Sequence, residues 1–293
     1  MSAGRYIFIL LILAAGNLFS RKATCQSAEK RTTVPAFMSW FESDIVGKIH
    51  GPFSWQTDIQ FRTSSNERNI GNGQHGNPWA NPFQVVVRPW IHYDLGATGL
   101  KFSVSPMGYW ATWNYYNGED TFEPEIRSSF QVQYSSRAGR VYLTNRLRYE
   151  LRWYGQEKPV NSGFHVPAGS NTDFFSDDSF KQRLRYMFRA WIPLSGKELV
   201  PGTWYVSTFD ELFIGFGKNV TSQHTFDQNR FYAGLGMQVG HMMRWEVGYM
   251  NQVLPRFNQP PDYNNVELNH ILATWLFFDN VGALFQKKSG QKK

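Results

Sequence analysis

Arginines fall two or four positions apart in two stretches of this chain: Arg146, Arg148 and Arg152 with Glu150 among them, then Arg183, Arg185 and Arg189. In an extended chain residues two apart share a face, so each stretch presents a row of guanidinium groups to one side. A guanidinium has five donors and no acceptor, and it keeps its charge in a protein. Each one must therefore be hydrated, paired with a carboxylate or bound to an anion. Glu125, Glu150, Asp210, Glu211 and Glu246 are available as partners. Two arrangements follow: a lattice of ion pairs filling an interior, because buried charges persist only when paired, or a basic constriction that selects a small anionic solute. The candidate binding residues are Arg146, Arg148, Glu150, Arg152, Arg183, Arg185, Arg189, Glu211 and Arg230. Asp210 and Glu211 are adjacent, so one must point away from the interior, which predicts a bulge or a position at the rim there.

Other chemistry is thinly represented. His92 and Asp94 share a strand face and could act as base and orienting acid, but no nucleophile signature accompanies them. The seven histidines show no metal-ligand spacing, and neither a glycine-rich phosphate loop nor a nucleophile elbow is present. Nothing in the sequence calls for a cofactor. A membrane-embedded hydrolase built around His92, His224 or His270 is the enzymatic alternative.

The elements that must position these rows are strands. From about residue 36 to residue 278 the chain alternates apolar and polar residues with period two. The clearest case is Val141 to Trp153, where Val141, Leu143, Leu147, Tyr149 and Leu151 oppose Arg146, Arg148, Glu150 and Arg152. Phe180 to Ile192 and Trp55 to Phe61 repeat it. Weaker segments are Phe37 to Gly47, Phe83 to Tyr93, Leu100 to Trp113, Ile126 to Tyr134, Trp204 to Phe216, Asn229 to Val239, Met243 to Val253 and Leu268 to Phe278. Short links (Gly47 to Pro52, Asp94 to Gly99, Ser135 to Arg140, Gly240 to Met242) alternate with long ones (Ser64 to Asn81, Asn114 to Phe122, Tyr154 to Asp178, Lys218 to Phe226, Gln252 to Asn265). Only Leu194 to Thr203 is intermediate. One rim of turns and one of loops is the mark of an up-and-down antiparallel transmembrane barrel. The segments number eleven, and the even count usual in bacterial barrels favours about twelve, with the extra strand in Gln26 to Pro35 or Val281 to Lys287.

Composition is consistent with this. The 293 residues include 24 Phe, 14 Tyr and 11 Trp, yet mean hydropathy is -0.44. A chain of spanning helices is excluded, whereas a barrel crosses a bilayer while averaging hydrophilic. Trp40, Tyr93, Trp110, Trp113, Tyr149, Trp153, Trp204 and Trp245 are candidates for aromatic girdles at the two interfaces. The same aromatics would suit a soluble, secreted carbohydrate-binding β-sandwich. The net charge of +7 is matched by Arg5, Arg21 and Lys22 near the start and Lys287, Lys288, Lys292 and Lys293 at the end, so the body is near neutral and no nucleic-acid partner is expected. Cys25 is the sole cysteine, which excludes an internal disulfide. Residues 1–25, with a basic start and the apolar run Tyr6 to Gly16, form a signal peptide, and acylation of Cys25 is disfavoured by Lys22. Residues 26–35 are an N-terminal segment, 36–280 the barrel and 281–293 a basic tail. The expected setting is the outer membrane of a Gram-negative bacterium, with membrane lipid and the export and barrel-assembly machineries as partners. The role is that of a porin-like narrow pore or a structural membrane protein.

Several strings carry a family resemblance: Asn145-Arg146-Leu147-Arg148-Tyr149-Glu150-Leu151-Arg152, Phe209-Asp210-Glu211-Leu212-Phe213, and Phe226-Asp227-Gln228-Asn229-Arg230-Phe231 followed by Gly234 and Gly236. Glu246-Val247-Gly248-Tyr249-Met250-Asn251-Gln252 and Asn269-His270-Ile271-Leu272 continue it. Over about residues 36 to 278 the chain resembles an uncharacterised bacterial family of exported proteins, a domain of unknown function regarded as outer-membrane barrels. The resemblance implies architecture and location and carries over no active-site residue. Barrels commonly finish on a strand with a terminal aromatic, whereas here Phe278 is followed by Asp279 to Lys293.

Overall fold

The computed structural model describes residues 32–65, 79, 81–116, 119–156, 158–160, 174–175, 179–217, 219, 225–255 and 265–281. The expected leader, the tail beyond residue 281 and His224 lie outside them. Eleven long strands form one closed sheet: β1 (Thr32–His50), β2 (Phe53–Ser64), β3 (Asn81–Asp94), β4 (Leu100–Tyr116), β5 (Glu119–Ala138), β6 (Val141–Tyr154), β8 (Phe180–Pro193), β9 (Trp204–Phe216), β10 (Phe226–Gln238), β11 (Met243–Pro255) and β12 (Asn265–Phe278). The three-residue β7 (Lys158–Val160) pairs only with the start of β5. Each long strand pairs with its predecessor and successor, and β1 closes the ring against β12.

The closing pair is parallel, with Phe37 opposite His270 and Ile45 opposite Phe278. This resolves the parity problem: the eleven segments legible in the sequence are the staves of the barrel. In an all-antiparallel ring the strand number must be even; an odd number closes only if its first and last strands run the same way. The ring of eleven long strands therefore has no free edge, and a free edge is what backbone polar groups in hydrocarbon cannot tolerate. Closure also removes the sandwich alternative, since the apolar flanks of the sheet do not face a second sheet.

Turns at β1–β2, β3–β4, β5–β6, β8–β9 and β10–β11 share one rim. The two-residue link Gly139-Arg140 has left-handed φ only at Gly139 (59°), the pattern of a II′ hairpin turn, which matches strand twist. A 3-10 turn, Gly96–Thr98, joins β3 to β4. The opposite rim carries the remaining connections. One of these corrects the sequence reading: Asn114 to Phe122 is not a long loop, because β4 runs on to Tyr116 and β5 starts at Glu119. The outward side chains of this extended hairpin, Trp113 and Phe122, are buried with their rings 5.2 Å apart.

Alternation delivers two different faces. Outward lie exposed Phe37, Phe41, Ile59, Val87, Ile91, Phe102, Phe130, Leu147, Phe188, Leu212, Phe231, Leu235 and Leu272, drawn from every part of the ring. Inward lie the charged and amide side chains, together with an apolar cluster on the wall of β8 to β12 and β1: Met38, Trp40, Met187, Phe209, Tyr232, Met250, Ile271, Trp275 and Phe277. Tyr232 stacks on Phe209 and meets the edge of Trp275, with centroids at 5.1 and 4.6 Å. Gly234 and Gly248 make room for it, since a Cβ at either position would collide with the Tyr232 ring.

Two residues expected in the girdles point inward. The ladder shifts register between Ser105 and Gly108. That irregularity inverts the alternation along β4 and turns Trp110 into the interior, where it is 2% exposed. Trp40 lies in the run Phe37-Met38-Ser39-Trp40-Phe41, apolar on both faces, and pairing puts Phe37 and Phe41 outside and Trp40 inside. Tyr93 and Trp204 are exposed near the turn rim, as a girdle requires, and Phe53 packs on Tyr93 at 5.1 Å.

Candidate functional site

The lumen of the barrel is the site. β6 and β8 are neighbours, with Arg148 opposite Arg185 and Glu150 opposite Arg183, so the two arginine rows lie side by side. Glu150, fully buried, receives Arg183 through Nε and Nη2 (2.8 and 2.6 Å) and Arg185 through Nη1 (2.6 Å). Glu211 on β9 receives Arg185 (2.9 Å) and, reaching over β8, Arg146 (2.7 Å). Glu125 on β5 is clamped by Arg127 (2.5 and 2.6 Å) and Arg152 (2.6 Å). Arg189 bonds Glu246 at 2.5 Å, and Trp191 and Tyr205 donate to the other oxygen of that carboxylate. Arg183 also reaches Asp227 at 3.0 Å. The same carboxylate often serves two guanidiniums, so the lattice uses up its acids before its bases.

All nine candidate residues face the lumen, and eight of them enter this lattice with at least one ion pair. Arg230 does not: its guanidinium lies over the rings of Trp40 (4.8 Å) and Phe213 (4.7 Å), and Nε and Nη2 are each 3.1 Å from the Gln252 side-chain amide. Arg148 gives Nε and Nη2 to Gln131 (3.0 and 2.7 Å), and its Nη1 stands 3.9 Å from Glu150.

Six basic residues that line the lumen were not among the candidates: Arg62, Arg88, Lys101, Arg127, Lys181 and Arg244. Arg62 bonds only the amides of Gln84 (2.6 Å) and Gln60 (2.5 Å) and stacks over Trp40 at 3.7 Å. Arg88 binds Asp58 at 2.7 and 2.5 Å, with Trp90 Nε1 donating to the same oxygen. Arg127 stacks on Trp110 at 3.9 Å. The signal for Arg62 was present in the polar face Gln56, Asp58, Gln60, Arg62. That for Arg88 was hidden behind the apolar run Val85-Val86-Val87, where Val86 also points inward.

Asp210 corrects an expectation. It points outward and is exposed, yet the ladder is unbroken: Asp210 stands opposite Phe188 on one side and Phe231 on the other. Glu211 must face the lumen to meet Arg146 and Arg185, so its neighbour is forced out. Asn229 Nδ2 donates to Asp210 at 2.9 Å.

His92 does not engage Asp94. Its Nδ1 bonds Ser103 Oγ at 2.7 Å and its Nε2 bonds Gln56 Oε1 at 3.0 Å, while Asp94 accepts from the Gly96 backbone N–H. Ser103 is buried, with its Oγ engaged by the His92 ring. His270 lies on the outer face, bonded to Tyr249 and stacked on Phe37. Glu42, Asp44 and Asp58 bring carboxylate oxygens within 4.8 Å of one another, and Arg88 serves them as counter-ion, 3.8 Å from Glu42.

Space remains between these side chains. A cavity of about 930 Å³ is lined from Val34 and Pro255 at the loop rim to Val46, Gln133 and Asp279 at the turn rim, with Arg62, Arg148, Arg185 and Arg230 on its wall.

Together, the closed sheet, the apolar exterior and the charged interior define a β-barrel protein with a polar lumen. Residues 37–264 match the family model described as "Protein of unknown function (DUF2490)", and the chain belongs to that family. No curated protein and no solved structure matches the chain.

Proposed function

We propose that this protein is an outer-membrane β-barrel whose lumen is a narrow, anion-biased passage for small solutes. The observation that carries the reading is the inversion of polarity: large apolar side chains are exposed all around the outside of a closed sheet, while arginines are gathered within. In water, contiguous exposed apolar surface of this extent is a liability; against hydrocarbon it is the required surface. The cavity supports passage rather than a solid core. Spread over a hydrocarbon thickness of roughly 30 Å, its volume corresponds to a mean cross-section on the order of 30 Å², enough for ions in file with water. Carboxylates shared between two guanidiniums leave the wall positive, and charged rings of one sign select ions of the other.

The test is conductance of the refolded full chain in a planar bilayer under a salt gradient. The expected result is small ohmic steps with a reversal potential of anion sign, shifted toward zero in Arg148→Gln. Arg148 suits the test because no carboxylate lies within hydrogen-bonding distance of it. Absence of conductance in protein shown to be folded by heat-modifiable gel migration would contradict the passage. A sealed structural barrel is the second reading, favoured by the apolar cluster that fills one side of the lumen, and non-conducting folded protein is what it predicts.

A further inference from the structure

Buried guanidinium nitrogens without an acceptor recur among the described residues of the lumen, at Arg146, Arg148, Arg189 and Arg244 as well as Arg62, and at Arg62 one meets an unpartnered indole N–H. Trp40 and Arg62 stand opposite each other on β1 and β2, at 6% and 8% exposure. The indole Nε1 of Trp40 and the Nε of Arg62 are both buried, and neither has an acceptor among the described residues. The remaining nitrogens of Arg62 meet neutral amide oxygens from Gln60 and Gln84. Arg230, from β10, brings a second guanidinium to the same indole ring and has no carboxylate in ion-pairing distance among the described residues. Arg185 lies within electrostatic range of both Arg62 and Arg230, as do the carboxylates of Glu42 for Arg62 and Glu211 for Arg230, although Arg185 and Glu211 are committed to one another and Glu42 accepts from Trp275. All three side chains line the cavity.

A buried donor left without an acceptor costs about 1–3 kcal/mol, and more when it is charged. Two guanidiniums brought together with no carboxylate in ion-pairing distance among the described residues repel one another as well. An arrangement of this kind is stabilised by an acceptor that carries negative charge and has several oxygens. We infer that Trp40, Arg62 and Arg230 form a binding site for an oxyanion, the carboxylate or phosphate group of a small solute in the lumen. The guanidiniums supply forked N–H pairs to its oxygens, the geometry that makes arginine suited to both groups, and the indole N–H supplies a further donor. Gln60 and Gln84 hold the Arg62 guanidinium in place without cancelling its charge. Donors fixed in this way select by charge and shape, and the apolar side chains of Met38 and Met250 beside them exclude competing water. The inference rests on the reading of the lumen as accessible to small solutes.

The test is calorimetric titration of the folded full chain in detergent with inorganic phosphate and, separately, with acetate. Saturable binding of one equivalent of either is expected, and the arm with the higher affinity identifies the preferred oxyanion. Arg62→Gln and Arg230→Gln should each weaken it tenfold or more. Trp40→Phe, which keeps the ring and removes the donor, should weaken it several-fold, and Arg137→Gln at the turn rim should leave it unchanged. Arg62→Lys keeps the charge and loses the fork, and should recover only part of the affinity. No saturable binding of either anion to wild-type protein, or full affinity in both glutamine variants, would overturn the site. Anion-selective conductance without saturable binding would remove the site and leave the passage. Binding without conductance would remove the passage and leave the site.

Discussion

Glu150 shows what single residues do in this lumen. It is fully buried, and two guanidiniums close on it at 2.6 Å. Removing one partner of a buried ion pair costs about 3–5 kcal/mol, because the other charge is left uncompensated. Glu150→Gln should therefore lower the unfolding free energy of the lipid-folded protein, read by denaturant titration, by an amount in that range. Glu198→Gln, which breaks the exposed Arg137–Glu198 pair at the turn rim, should change it by about 1 kcal/mol or less. Equal effects would show that the lumen is wet enough to screen its own charges. Glu150 was legible in the sequence because it sits within a row of arginines whose face was fixed by its apolar neighbours. Arg88 was not, since an inward Val86 interrupts the polar face of β3; its partner Asp58 lay on the legible polar face of β2. Asp210 was expected at a bulge or rim, but it faces outward from an unbroken ladder because Glu211 must face the lumen to meet Arg146 and Arg185.

At the scale of elements, period-two alternation reports each strand faithfully, and all eleven staves were visible before the fold was known. How the ring closes was not. Alternation assigns faces, and it carries no information on whether the first and last strands run parallel. Nor does it reveal a single-residue irregularity such as that between Ser105 and Gly108, after which Trp110 changes sides. The parallel closure makes a specific prediction. Ser43 and Leu276 are register partners on the outer face, so in a Cys25→Ser background the pair Ser43→Cys/Leu276→Cys should oxidise to a cross-link, since Cα atoms of paired strands fall within disulfide range. Ser43→Cys/Leu272→Cys, displaced by four residues along β12, should remain reduced. Cross-linking of the second pair in place of the first, read by the migration of the unfolded chain on a gel, would mean that the ring closes in another register.

At the scale of the molecule, the barrel divides its interior between an apolar cluster along β8 to β12 and β1 and an ion-pair lattice along β2 to β9. Neither half alone suits a lumen: a fully apolar filling would seal it, and an unpaired charged filling would not be stable. Together they leave a cavity of about 930 Å³, which we read as a narrow anion-biased passage. The family match covers most of the same residues and assigns no chemistry, so the function rests on the physical arrangement. That arrangement depends on what touches the outer wall. Nitroxide labels placed singly at Leu147, Phe188, Phe231 and Leu272 in the vesicle-reconstituted protein report this contact most directly, through relaxation by oxygen, which concentrates in lipid, and by a water-soluble nickel chelate. The account predicts that all four positions are oxygen-accessible and chelate-protected, while a label at Glu198 on the turn rim shows the reverse. Chelate access at all four outer-wall positions would place them in water and contradict the membrane-spanning barrel.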